Sequence, residues 1–109
     1  MTDTQESLRP TAYASRIQRW YVPILLVLVN TGEASTEYIY ATLERRFGDL
    51  IPVDGYGKLK SGKVRWKNEV SLAAMDLAGR IYTPNLMSKS NGIWTLTEEG
   101  AAHIGHTVS

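Results

Sequence analysis

Five basic side chains crowd into the stretch from residue 55 to residue 68, which contains no acidic residue. Clustered lysine and arginine side chains attract anions, and the phosphates of nucleic acids are the commonest macromolecular anions they meet. A solvated basic loop has the same composition, so the run by itself leaves both interpretations open. The basic residues in question are Lys58, Lys60, Lys63, Arg65 and Lys67.

Groups that could carry out catalysis are sparse. His103 and His106 are three residues apart, but no third metal ligand lies near them in the sequence, so a solvated tail explains them better than a metal site. Gly55-Tyr56-Gly57-Lys58 has the glycines of a phosphate loop, yet it lacks the following Ser or Thr and a helix directly behind it. We therefore predict no catalytic residue, no metal and no cofactor.

Length and composition fit one small domain. The chain has 109 residues, of which 43% are apolar and 21% are charged, and its net charge is +1. It has no cysteine, which excludes a disulfide scaffold and a thiolate metal site. The longest apolar run, Tyr21 to Val29, is interrupted by Pro23 and is too short for a membrane helix, which needs about 20 residues. The polar first residues are unlike a signal peptide, so we expect a cytoplasmic protein without a membrane partner.

The first half of the chain predicts two helices. Pro23 suits the first turn of an apolar helix, and Gly32 is its natural stop. Ser35 or Thr36 is expected to cap a second helix that runs to about Phe47, with apolar residues recurring at helical spacing.

A third helix follows a long, glycine-rich loop, residues 48–62. It is predicted from about Val64 to Ala78, with Gly79 ending it. Four apolar residues fall on one side of it and form the expected core stripe: Trp66, Val70, Ala73 and Leu77.

The last part of the chain predicts a β-hairpin. Ile81–Thr83 and Ile93–Thr97 are the expected strands, and a polar tip from Asn85 to Gly92 joins them. Thr97 is expected to cap a final helical turn. Three helices followed by a two-stranded hairpin predict a mainly α, α+β fold, the winged helix-turn-helix, in which the third helix reads DNA and the hairpin is the wing. We assign residues 1–20 to a tail with an extra helix, 21–104 to the winged-helix domain and 105–109 to a C-terminal tail.

Several motifs resemble the N-terminal winged-helix domain of Mrr-type, modification-dependent restriction endonucleases. The resemblance covers about residues 22–102. Gly32-Glu33-Ala34-Ser35-Thr36, followed by Ile39-Tyr40, is similar to the opening of that family's second helix, and the third-helix spacing from Trp66 to Leu77 is similar too. Residues 92–100, Gly-Ile-Trp-Thr-Leu-Thr-Glu-Glu-Gly, resemble its closing G-x-W-x-(I/L)-T-x-x-G signature. The join between the third helix and the first wing strand is about two residues shorter than the family pattern.

The resemblance implies binding of double-stranded DNA by the targeting module of a restriction endonuclease, with N6-methyladenine or a modified cytosine as the base that such a reader senses. The nuclease of that family uses a P-D…(D/E)-x-K pattern. Pro52-Val53-Asp54 is similar only to its first half, and no Asp or Glu is followed two residues later by Lys. Cleavage is therefore expected from a nuclease domain elsewhere in the same protein or in a partner, and this chain is not expected to be an enzyme.

Two groups of residues are the predicted DNA contacts. The first would face the major groove from the N-terminal half of the third helix: Lys63, Arg65, Lys67, Asn68, Ser71 and Leu72. The second would bind phosphates from the loop and the wing: Lys58, Lys60, Ser88, Lys89, Ser90 and Asn91.

Trp66 has two interpretations: it anchors the core, which the stripe favours, or it lines a pocket for a methylated base. The function also has rivals from other classes. Winged helices serve as protein-docking or dimerisation domains, with Tyr38, Leu72 and Met75 then facing a partner. A small transcriptional repressor, which would need a dimer and a palindromic site, is the third alternative.

Overall fold

The computed structural model describes residues 16–108, with side chains described as far as Gly105. This part of the chain is a mixed α+β unit with four helices and one three-stranded antiparallel sheet. The elements in chain order are α1 (Tyr21–Thr31), β1 (Glu33–Ser35), α2 (Thr36–Phe47), α3 (Arg65–Met75), β2 (Met87–Ser90), β3 (Ile93–Leu96) and α4 (Glu98–Val108). Residues 16–18, just before α1, are also helical.

The sheet has the order β1-β3-β2, so β3 lies in the middle and pairs with both neighbours. β1 is a strand that the sequence did not predict; its Ala34 lies opposite Trp94 of β3. Three residues next to a helix cap carry no strand pattern of their own, and only pairing with β3 makes them a strand. The predicted two-stranded sheet is therefore corrected to three strands.

The first hairpin strand also lies elsewhere than predicted. The strand expected at Ile81–Thr83 is wrong, because the N–H groups of Ile81 and Tyr82 donate to the carbonyl of Asp76, at 3.1 and 3.2 Å, as the end of a helical segment. β2 instead begins at Met87, and the expected eight-residue tip shrinks to the two residues Asn91 and Gly92. Both adopt positive φ, 54° and 77°, as a two-residue hairpin turn requires.

The predicted helix boundaries at Gly32, Ser35 and Thr97 are confirmed, whereas α3 ends at Met75 rather than at the predicted Ala78. α1 ends where the Gly32 N–H donates to the Leu28 carbonyl at 2.7 Å, with Gly32 at φ 78°. The Ser35 hydroxyl accepts from the Tyr38 N–H at 3.1 Å and starts α2. The Thr97 hydroxyl accepts from the Gly100 N–H at 3.0 Å and starts α4, which runs to Val108 rather than for the single turn expected.

The core lies between α1, α2, α3 and the sheet. The predicted α3 stripe is buried, with Trp66, Val70, Ala73 and Leu77 each at most 1% exposed. Ile17 and Trp20 also belong to the core. The packed unit therefore includes residues that the sequence placed in the N-terminal tail before residue 21.

The segment before α3 has more structure than the loop predicted over residues 48–62. It contains two short 3₁₀ turns, Gly48–Leu50 and Val53–Tyr56, and then an antiparallel bridge between Lys58 and Val64. That bridge encloses a tight turn that leads directly into α3. After α3, Asp76–Arg80 forms a wider π-type turn, in which Gly79 has φ 129°.

The element order is compatible with a winged helix-turn-helix, since α2 and α3 are followed by an antiparallel hairpin whose second strand also pairs with a strand after α1. Within residues 16–108 we find no helix with the length and apolar character that a membrane crossing needs.

Candidate nucleic-acid interface

A cleft of about 230 Å³ lies between α2 and the N-terminal half of α3. Tyr40 forms its α2 wall, and the other side comes from α3 and the residues just before it. Among the described residues that line this cleft, none is acidic. The lining consists of Tyr40, Lys63, Val64, Lys67, Asn68 and Ser71. Four of the six are residues predicted from the sequence to contact DNA.

A row of three aromatic rings joins the cleft to the hairpin. The Tyr40 ring stands edge-on to Trp66 of α3 and to Trp94 of β3, with centroids 5.9 and 6.3 Å away. The Lys67 ammonium lies 5.5 Å from the centroid of Tyr40, the middle ring, and 5.9 Å from that of Trp66. The Lys89 ammonium lies 5.1 Å from the centroid of Trp94, at the other end of the row. Cation–π contact thus holds a helix lysine and a hairpin lysine on the same framework.

Tyr40 lines the cleft although the sequence did not place it among the predicted DNA contacts. Its hydroxyl donates to the Lys67 carbonyl at 3.3 Å, and Ser71 lines the same cleft. Burial raises the Tyr40 pKa, so the hydroxyl stays protonated at neutral pH. A half-buried tyrosine at the edge of an apolar stripe needs a hydrogen-bond partner for its hydroxyl. This need is the sequence signal that could have indicated a polar cleft beside Tyr40.

Lys63 precedes α3 and Lys89 lies on β2, and the charge of Lys63 affects the pKa of Lys89. Desolvation lowers the Lys89 pKa, and the nearby Lys63 ammonium lowers it further. The ion pairs among the described residues involve Arg16 and Arg80, not these two lysines. Neither Lys63, which lines the cleft just before α3, nor Lys89 on the hairpin has a carboxylate in an ion pair with it among the described residues.

The hairpin turn is fixed to the start of α2 by Thr36. The Thr36 N–H and hydroxyl both donate to the Gly92 carbonyl, at 2.9 and 3.2 Å. The same hydroxyl accepts from the indole Nε1 of Trp94 at 2.9 Å. These bonds fix the hairpin against the start of α2, and Lys89 lies over the Trp94 ring that they hold.

The predicted contact residues are distributed unevenly. The structure brings Lys63, Lys67, Asn68 and Ser71 together in the cleft, whereas Lys89 lies outside the cleft lining, with its ammonium over the Trp94 ring. Strand alternation places Ser88 and Ser90 on the opposite face of β2 from Lys89. The other residues of the two predicted groups lie outside the lining: Lys58 and Lys60 are exposed before α3, Asn91 is exposed at the hairpin turn, and Leu72 packs against the core.

Arg65 also lies outside the cleft lining. The hydrogen bonds from Arg16 are the main cause that lowers the pKa of Asp54, and the positive charge of Arg65 lowers it further. Its Nε is buried and has no hydrogen-bond partner among the described residues.

The alternative role of Trp66 is overturned by burial. Its side chain is 1% exposed, in contact with Trp20 and Tyr40, with ring centroids 5.7 and 5.9 Å away. A base in the major groove has no access to a ring enclosed in this way. Trp66 is therefore the core anchor, and the cleft wall that it supports is Tyr40.

Arg16, outside the cleft, has structural partners. Its Nε donates to Glu69 Oε2 at 2.7 Å, and its two terminal nitrogens donate to the Asp54 carboxylate at 3.1 Å each. Glu69 is buried on α3, so Arg16 ties the segment before α1 to both α3 and the 3₁₀ turn. Asp54, the acidic residue of the Pro52-Val53-Asp54 segment that is similar to half of a nuclease motif, is therefore the ion-pair partner of Arg16.

Comparisons with known proteins add no relative. No family model matches the chain, and neither the curated proteins nor the solved structures yield a significant match. Within the described residues, no group of three or more His, Asp or Glu side chains is arranged to hold a metal ion.

Proposed function

We propose that this chain is a winged helix-turn-helix domain that binds double-stranded DNA, with α3 as the recognition helix and the β2–β3 hairpin as the wing. One observation carries the proposal. The cleft beside the N-terminal half of α3 gathers lysine, amide and hydroxyl groups without a carboxylate in its lining, and the hairpin adds Lys89, whose ammonium lies over Trp94, the ring in contact with Tyr40 of the cleft. Cations hold phosphates, while amides and hydroxyls read base edges.

The residues divide into two roles under this proposal. Lys63, Lys67 and Lys89 neutralise backbone phosphates and set the orientation of the domain on the duplex. Asn68 and Ser71 project from α3 toward base edges in the major groove. An asparagine there makes two hydrogen bonds with adenine, through N6 and N7, so Asn68 is the proposed base-reading residue.

The biological setting rests on the motifs alone. Because these motifs resemble the targeting domain of modification-dependent restriction endonucleases, we propose that this chain directs such a nuclease to DNA, with methylated bases as the preferred ligand. Any cleavage then belongs to another domain or subunit.

The test is fluorescence anisotropy on pooled random duplexes, either unmethylated or methylated at adenine or at cytosine, near physiological salt. Binding about tenfold tighter to one methylated pool, equivalent to about 1.4 kcal/mol, supports the reader function. Equal binding to all pools supports DNA binding and contradicts the modification preference. Absence of binding at low salt contradicts the proposal as a whole.

Protein docking is the second candidate, and exposed apolar side chains favour it. Tyr38 on α2 is 46% exposed and Met75 at the end of α3 is 47% exposed. A salt titration separates the candidates, because DNA affinity falls steeply with salt whereas apolar docking barely responds. Tyr38→Ser combined with Met75→Ser removes the apolar surface; loss of a protein complex without loss of DNA affinity would assign that surface to docking.

A further inference from the structure

The cleft between α2 and α3 has an apolar surface as well as polar groups. The apolar surface comes from the Tyr40 ring and the Val64 side chain, both of which are half-buried. The Tyr40 hydroxyl is bonded to the Lys67 carbonyl at 3.3 Å, and the ring stands edge-on to Trp66 and Trp94. Val64 packs against the core. The fold therefore holds both apolar groups in place.

Asn68 lies directly beside this apolar surface. Its N–H donates to the Val64 carbonyl at 3.0 Å, so the two residues are one helical turn apart on the same side of α3. One turn of this kind spans about 6 Å of helix, and stacked bases are about 3.4 Å apart. If α3 lies in the major groove with Asn68 on one base, Val64 and Tyr40 therefore meet a neighbouring base.

An apolar surface can recognise few features of a base. It forms no hydrogen bond, so a methyl group is the major-groove feature that it favours. Thymine presents such a group on its C5 atom, and 5-methylcytosine carries its methyl group at the same ring position. The cleft, of about 230 Å³, has room for the edge of a pyrimidine.

Asn68 argues against the methyl group of N6-methyladenine. Adenine N6 has two hydrogens, of which one pairs with thymine and the other points into the major groove. The second hydrogen is the one that an asparagine oxygen accepts. A methyl group that preserves the base pair replaces this hydrogen, so it removes one of the two bonds between Asn68 and adenine.

We infer that Tyr40 and Val64 form a contact surface for the C5-methyl group of a pyrimidine, thymine or 5-methylcytosine, next to an adenine bound by Asn68. The inference rests on the proposed function, because it places α3 in the major groove of DNA. The cleft then recognises two neighbouring bases, one by hydrogen bonds and the other by apolar contact.

The first test changes only the methyl group on the DNA. Tight-binding duplexes are selected from two random pools, one made with cytosine and one with 5-methylcytosine. Each thymine is then replaced by uracil, and each 5-methylcytosine by cytosine, one position at a time. At one position the methyl-bearing base should bind about fourfold more tightly in fluorescence anisotropy, the effect of burying one methyl-sized group.

The two series distinguish the sources of the methyl group. A response to uracil identifies thymine, and a response to cytosine identifies 5-methylcytosine; either supports the inference. Equal binding at every position overturns it, although DNA binding itself then stands. Absence of duplex binding at low salt contradicts the proposed function, and the inference fails with it.

Val64→Ser tests whether this cleft makes the contact. Val64 is the N-cap of α3, and serine is the better N-cap residue, so the helix keeps its start. The variant should bind the duplexes with and without the methyl group equally, because the apolar surface is lost. Damage to the fold would instead weaken both and preserve their ratio. A preserved ratio overturns the inference.

Val53→Ser is the matched control. Val53 is 96% exposed and lies outside the cleft lining, so this variant should keep the ratio of about fourfold. Loss of the ratio in both variants would show that the effect is not specific to the cleft, and would overturn the inference.

N6-methylation of the adenine that Asn68 binds is the last test. This adenine is the base whose preference is lost in Asn68→Ala. Its methylation should weaken binding, because one hydrogen bond to Asn68 is lost. Tighter binding would mean that the cleft accepts the adenine methyl group, and would overturn the inference.

Discussion

The indole Nε1 of Trp94 donates to the hydroxyl of Thr36 at 2.9 Å, and that hydroxyl donates to the carbonyl of Gly92 at 3.2 Å. One side chain thus satisfies a buried indole and anchors the hairpin turn. Replacing it by Thr36→Val keeps the shape but leaves the indole N–H buried without its partner. We expect a loss of about 1–3 kcal/mol in the free energy of unfolding, measured by urea denaturation.

Thr31→Val is the control for this substitution. The Thr31 hydroxyl donates to the Val27 carbonyl within α1 at 3.3 Å and serves no buried partner in the sheet. Its loss should change the stability by less than about 0.5 kcal/mol, as for an ordinary surface position. Equal stabilities of the two variants would show that the Thr36 hydroxyl does not anchor the hairpin.

Arg16→Ala should be among the most damaging single changes outside the apolar core. It leaves Glu69 with its carboxylate buried and unpaired, a situation that costs about 3–5 kcal/mol. Adding Glu69→Gln should recover part of that loss, because the buried charge is gone. Chemical denaturation measures both variants. Arg19→Ala is the control: Arg19 donates to the neutral carbonyl of Leu50, so about 1 kcal/mol is expected. If Glu69→Gln gives no recovery, the buried charge is not the cause.

The ion pair between Arg16 and Asp54 should make a contribution to stability that is lost in acid. The two hydrogen bonds from Arg16 are the main cause that lowers the Asp54 pKa below its ordinary value of 3.8. The folded state therefore releases this proton more readily than the unfolded state, so the contribution is present above the unfolded pKa and is lost as pH falls through the folded pKa. In unfolding measurements from about pH 5 to about pH 2, the stability of Asp54→Asn should fall less steeply than that of the unmodified protein. Parallel curves would contradict the coupling.

Gly100 is a position where no side chain fits. A β-carbon built there would overlap the carbonyl oxygen of Leu86, which is backbone and cannot turn aside. Gly100→Ala should therefore destabilise the protein by about 1–3 kcal/mol in thermal or urea unfolding. Gly105→Ala, on the same helix with open space around it, should instead stabilise by about 0.5–1 kcal/mol because alanine is the better helix former. The reverse order would show that α4 does not pack against Leu86.

Asn68→Ala separates base reading from phosphate binding. If Asn68 reads one base, its removal should cost about 1–3 kcal/mol on the preferred duplex and relax the preference at a single position. The salt slope should stay unchanged, because no phosphate contact is lost. Binding selections on a randomised duplex, followed by anisotropy, measure both quantities. A uniform loss on all sequences with a reduced slope would assign Asn68 to the backbone instead.

The sequence was informative wherever a local chemical signal determined the structure. Gly32, Ser35 and Thr97 each stop or start a helix by the bond expected for their residue type. The core face of α3 followed from spacing alone. Asn91-Gly92 is also a strong signal for a two-residue hairpin turn, although the polar residues before it predict a longer tip.

The errors arose where long-range contacts decide. β1 exists only through its pairing with β3, and the polar strand β2 buries a single residue, Met87, so neither shows the alternation that identifies a strand. Residues 81–83 have the composition of a strand, but the N–H groups of Ile81 and Tyr82 donate to the Asp76 carbonyl and therefore do not pair with another strand. For the candidate site, spacing identified the α3 residues, whereas the contribution of Tyr40 and the position of Lys89 over Trp94 depend on how α2, α3 and the hairpin pack.

The root of the hairpin is fastened to α4 as well as to the sheet. Leu86, just before β2, accepts from the Thr97 N–H, and the Thr97 hydroxyl donates to the Asn85 carbonyl at 2.8 Å, while Gly100 packs against the same stretch. The hairpin is thus fixed at two places: at its base by the start of α4, and at its turn by Thr36. A force applied at the turn would therefore be transmitted to α2 and α4 through these hydrogen bonds.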